Sequence, residues 1–173
     1  MGLLMQNTIL KQAEAKIESQ MRPDVRDNYM RIVVAGMKLA LDKGPQGIMA
    51  GIKTSQNPLA DIVKGAIGIV GTLRHAAKGT MPVTAMVPAG FTLMLHGLDF
   101  AEKVGVLQVT NAVLDQATQA YAEAVLAAMK ISPAMVQSLT QKVHGVMQDP
   151  AKMAHLKTLS MHGAQPGGSN GAA

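Results

Sequence analysis

Three times in this chain a helix-capping residue stands directly before a proline: Asn57-Pro58, Ser132-Pro133 and Asp149-Pro150. Proline suits the first position of a helix, because the N–H it lacks would have no intrahelical partner there. Asn, Ser and Asp have side chains that accept hydrogen bonds from the free N–H groups of the first turn. Each pair therefore reads as a helix start, and a chain punctuated this way reads as a series of helices. The core residues on offer agree. Of 173 residues 48% are apolar, yet there are only two Tyr, two Phe and no Trp, against 14 Met. Met adapts to irregular gaps between helices, whereas sheets favour the aromatic and β-branched residues. The length suits one ordinary domain.

Apolar spacing gives the helices their limits. The first is expected over 8–21, with Leu10, Ala13, Ile17 and Met21 on one face, broken by Arg22-Pro23. The second spans 24–42 and ends at Gly44-Pro45; Val25, Tyr29, Ile32, Val33, Gly36, Met37 and Ala40 share its apolar side. A short helix over 46–53 precedes a longer one from Pro58 to about Lys78, stopped by Gly79. Pro88 implies a kink or a restart near Val87, so the next helix is placed over 89–104, ended by Gly105. Residues 106–109 read as an extended link that delivers Thr110, a capping residue, to a helix over 111–130. Two shorter helices, over 133–147 and 150–161, complete an all-α, irregular bundle of about seven helices. Residues 1–162 are thus expected to form a single domain, and the Gly/Ala-rich tail 163–173 to be disordered.

Two helix surfaces stand out as packing faces. Gly65, Gly68 and Gly71 recur every third residue inside one helix, where each glycine costs about 1 kcal/mol relative to alanine. One reading is a smooth strip that another helix approaches closely; the other is a membrane-adapting segment, where small residues mediate helix contact in lipid. The second face is Val113, Ala117, Tyr121, Ala124 and Ala128.

Chemistry is harder to find. With no cysteine, disulfides and thiolate metal sites are excluded. His75, His96, His144, His155 and His162 supply no pair at the spacing that puts two metal ligands on one helix face. His96, Asp99 and Glu102 do share a face, which admits a carboxylate-oriented imidazole base; the plainer expectation is that His96 ends a buried stretch and hydrogen-bonds Asp99 at the surface. The glycine strip follows no strand and is no dinucleotide fingerprint, and no Ser sits in a nucleophile elbow. The expectation is a protein without enzymatic activity, cofactor or metal.

The formal charge of +5 permits contact with an anionic surface, DNA or lipid headgroups, without demanding one. Lys142, Lys152 and Lys157, opposed by Asp149 alone, are the candidate anion contact. Base-stacking aromatics are nearly absent, which disfavours single-strand readers. The N-terminus lacks a secretory n-region, and Gln6 departs from the myristoylation pattern. No run reaches the roughly 18 consecutive apolar residues of a membrane span; the nearest are 65–73 and 85–98.

Taken together, Ala35-Gly36-Met37-Lys38, the block Gly79-Thr80-Met81-Pro82-Val83-Thr84-Ala85-Met86-Val87-Pro88-Ala89, and Leu98-Asp99-Phe100-Ala101-Glu102-Lys103 followed by Leu107-Gln108-Val109-Thr110 resemble a poorly characterised family of small helical proteins encoded with the head and portal genes of tailed bacteriophages. The similarity covers roughly 8–136. It implies a virion component made in the bacterial cytoplasm and present in multiple copies, a homo-oligomer in contact with other virion proteins. Two roles fit: a head or connector protein with fixed symmetric interfaces, or an internal protein ejected with the genome. The second implies non-specific DNA contact and transient contact with the host membrane. The alternative from another class is a helical nucleic-acid-binding or regulatory protein using its basic surface.

Overall fold

The segmentation by proline and glycine becomes five helices in the computed structural model, which describes residues 5–42 and 54–130. In chain order they are α1 (Thr8–Gln20), α2 (Pro23–Asp42), α3 (Pro58–Ala76), α4 (Val83–Lys103) and α5 (Asn111–Ala128). The described residues are all-helical, and all but Lys130 fall in one compact unit. The helices expected over 46–53, 133–147 and 150–161, the domain boundary at 162, the tail and Lys142, Lys152 and Lys157 all lie outside the described residues.

Local signals place the helix ends. Asn57 caps α3, its side chain accepting the N–H of Ala60 at 3.2 Å, with Pro58 in the first turn. Thr110 caps α5 through the N–H of Val113 at 3.3 Å. Asn7, not singled out in the sequence, caps α1 by accepting the N–H groups of Ile9 (2.9 Å) and Leu10 (3.3 Å). Gly79 and Gly105 take φ of +76° and +72° just beyond α3 and α4, the left-handed conformation in which chains commonly leave a helix.

Pro88 corrects the expectation of a restart near Val87. The helix begins at Val83, six residues earlier than expected, and runs through Pro88 to Lys103. Proline deprives the carbonyl four residues back of its N–H partner. Here that residue is Thr84, which is exposed, so water can serve the freed carbonyl. Ala85 and Ala89, on either side of the ring, are fully buried, and the packing they provide outweighs the local cost.

α4 is the centre of the unit. Ten of its 21 residues are buried, and α2 and α3 make their largest contacts with it. Tyr29 on α2 meets Thr92 on α4 in a buried hydroxyl pair at 2.9 Å. Desolvation raises the Tyr29 pKa, partly offset by the Thr92 bond, so the phenol stays neutral. On the other side, Tyr121 of α5 donates to the Val87 carbonyl at 2.7 Å and stacks edge-on against Phe91, with centroids 5.5 Å apart. Among the described residues α4 is also the one helix long and apolar enough to cross a membrane, and 56% of its most apolar window is buried inside the unit, as for a core helix.

Close approach to α4 depends on glycines. A Cβ at Gly97 would lie 2.7 Å from Ile62 Cγ2 on α3, and one at Gly90 would collide with the Tyr121 hydroxyl and lie 3.2 Å from Val70. On α2, a Cβ at Gly36 would lie 2.5 Å from Leu93 Cδ1. The Tyr121 hydroxyl is fixed by its bond to Val87, so Gly90→Ala should lower stability by about 1–3 kcal/mol through overpacking. Gly65→Ala, by contrast, meets open space and should raise stability by about 0.5–1 kcal/mol through helix propensity. Urea unfolding of the two variants checks the pair; the reverse order would contradict this packing.

Candidate functional site

Two features of the unit are candidates for function, a polar seam between α1 and α4 and an open apolar face on α2 and α3.

The seam gathers the charged residues that the sequence placed on one face of α4. Asp99, only 4% exposed, accepts the backbone N–H groups of Gln6 (2.8 Å) and Asn7 (3.2 Å) on one oxygen. Its other oxygen faces the Lys103 ammonium at 2.6 Å. Burial pushes the Asp99 pKa up, but the Lys103 bond and the two backbone donors outweigh it, and the carboxyl titrates below its ordinary value. Glu102 bridges two segments, accepting the Asn7 side-chain amide at 2.8 Å and the Val109 N–H at 2.8 Å. His96 lies against Glu14 of α1, with Nε2 3.4 Å from a carboxylate oxygen and both side chains 9% exposed. This corrects the expected His96–Asp99 hydrogen bond: the imidazole reaches across to α1, and Asp99 is engaged by the backbone preceding that helix.

These groups hold chain segments together. Asp99, Glu102 and Glu14 each have protein partners, and among the described residues no buried side-chain N or O lacks one. Nor do three His, Asp or Glu side chains converge as metal ligands there.

The open face lies where α2 and α3 flank α4. Met30, Val34, Met37 and Leu41 recur at four- and three-residue steps, placing them on one side of α2. Val34 is 53% and Leu41 50% exposed. Beside them runs an apolar groove of about 590 Å³, with Met37, Leu39 and Leu41 on its α2 wall, Gly65, Gly68 and Ile69 on its α3 wall, and Leu93 and Gly97 of α4 at its base. Exposed apolar surface of this kind, concentrated at one place, marks an interaction site more often than scattered residues do.

The sequence-predicted packing residues divide accordingly. Gly65, Gly68 and Gly71 are exposed, with nothing within 4 Å of a Cβ built at any of them. Among the described residues no helix uses the strip; Gly65 and Gly68 line the groove and Gly71 lies outside it. On α5, Ala117 and Tyr121 are buried in the core, Val113 and Ala124 are half-buried, and Ala128 is exposed. That face packs mainly within the chain. The glycines that do permit close contact, Gly90 and Gly97, were not singled out. Their signal was present: they are seven residues apart, hence on one face, within a run of buried apolar residues.

Because the Asp99 carboxyl is held below its ordinary value of 3.8, it stabilises the fold above that value, and the contribution is lost as pH falls through the depressed one. Stability should therefore decline below about pH 4. Asp99→Ala, which removes the acceptor of two backbone N–H groups, should cost about 1.5–3 kcal/mol at neutral pH and flatten that decline. Urea midpoints measured from pH 7 to pH 3 check both.

No protein-family model, curated protein or solved structure matches this chain significantly.

Proposed function

We propose that this chain is a structural component of a tailed-phage virion, present in multiple copies and associating with itself through its helix faces. The observation that carries the self-association is the open α2/α3 face. Val34, Leu39 and Leu41 are exposed at 53%, 37% and 50%, beside a strip of glycines with no packing partner among the described residues. Three glycines on the exposed face of a helix cost stability, and an intermolecular contact that needs them supplies a reason for their presence. The virion assignment draws on the resemblance described above, whose blocks fall on the start of α4 and on the seam residues from Leu98 to Thr110. A structural role in place of a catalytic one is supported by the seam, where Asp99 and Glu102 accept hydrogen bonds from the chain's own backbone.

Within that reading we favour an internal protein that leaves with the genome, in contact with DNA in the particle and with the host membrane on delivery. It is supported by the +5 charge and by the length and apolarity of α4. Mass spectrometry of purified particles of the encoding phage should find the chain in several copies; its absence from particles would overturn the assignment. Vesicles with anionic headgroups should leak when the protein is added at low pH. Retention of their contents at both neutral and low pH would favour a static head or connector protein.

A further inference from the structure

Helix α1 is held differently from the other four. Its main contact is with α4, along which it runs antiparallel: Gln6 and Asn7 lie at Asp99, Glu14 at His96, and Ile17 beside Val87, Pro88 and Phe91. Met5 and Leu10 are buried apolar anchors at its start. Beyond Leu10 its one buried residue is Glu14, an acid. The two acidic side chains buried among the described residues, Glu14 and Asp99, thus both lie at this seam. The contacts among α2, α3, α4 and α5 described above are apolar or made by uncharged hydroxyls.

We propose that residues 5–20 form a releasable strap, held on α4 by Glu14, Asp99 and Glu102, which detaches as a unit when those carboxylates are protonated while α2 to α5 keep their packing. The groups facing the seam all bear on the direction. On α4, Lys103 and His96 face Asp99 and Glu14; on α1, Glu14 and Glu18 lie near Tyr29 of α2, as does Arg26. The remaining partners are uncharged: the Gln6, Asn7 and Val109 N–H groups and the Asn7 amide. Protonating Asp99 takes the counter-charge from Lys103 and weakens two charge-assisted bonds to the strap's backbone. Glu14 is the one acid of α1 buried against α4, where it faces His96. A protonated Glu14 no longer offers His96 a carboxylate oxygen at 3.4 Å, so the buried contact between the two helices loses its charge. Among the described residues no carboxylate joins α4 to α2 or α3, and towards α5 Glu102 reaches only the N–H of Val109 in the link before that helix. Release uncovers the α1-facing side of α4, the apolar helix of the unit. The inference rests on the seam alone and does not depend on the virion assignment.

Asn and Gln mimic the uncharged acids at nearly constant shape, so the test runs at neutral pH on the full chain. Hydrogen exchange read by mass spectrometry compares the wild type with Asp99→Asn, Glu102→Gln and the double variant. The strap reading expects exchange in residues 8–20 to accelerate at least about tenfold, because losing a charge-assisted hydrogen bond is an effect of that order, with rates in α2 and α3 unchanged. Unchanged rates in α1, or equal acceleration in all five helices, would overturn it. If the double variant does not fold, the wild type taken from pH 6 to pH 3, with intrinsic exchange corrected, decides the matter. The strap must lose protection before α3; simultaneous loss would overturn the proposal.

Discussion

α2, α3, α4 and α5 are arranged by how closely a neighbour can approach α4. Two glycines seven residues apart, Gly90 and Gly97, remove the side chains that would hold α3 and α5 away, and Gly36 does the same for α2 against Leu93. Close approach brings Tyr29 to Thr92 and Tyr121 to the Val87 carbonyl, so that each tyrosine buries its ring and still satisfies its hydroxyl. Pro88 is tolerated for the same reason: the packing on both sides of it fixes the helix whether or not one backbone bond is missing.

The polar seam then sets the boundary of this packing. Where α4 emerges from its apolar neighbours, Asp99 and Glu102 tie down the backbone before α1 and the link before α5. Ionised carboxylates accept N–H groups strongly, so Asp99 holds backbone 92 and 93 residues away in sequence. A unit organised this way has two kinds of joint. One is apolar and indifferent to pH; the other is made of charges and is sensitive to it.

Much of this was legible in the sequence, for identifiable reasons. Asn57-Pro58 and Thr110 acted as caps because capping needs only local chemistry. Gly79 and Gly105 ended helices because a left-handed residue is a local requirement too. Periodicity also placed Tyr29, Ile32, Val33 and Gly36 together on the buried side of α2. What was missed depends on tertiary contact. Whether Pro88 breaks a helix is decided by what packs around it, and whether a glycine marks a contact is decided by which way it faces. The regular Gly65, Gly68 and Gly71 drew attention as a packing strip, yet within the unit they face outward, while Gly90 and Gly97 passed unnoticed among large apolar residues. His96 and Asp99 share a face because three residues separate them on one helix, but His96 meets Glu14 of α1 and Asp99 the backbone just before it, which no spacing rule connects to α4.

The outward-facing glycines and the exposed side of α2 have no packing partner among the described residues, and the proposed self-association would give them one. Light scattering on the purified chain at neutral pH, across a range of concentrations, measures it most directly. The account predicts a mass at least twice the 18.1 kDa of one chain. A mass of 18.1 kDa at every concentration would contradict it.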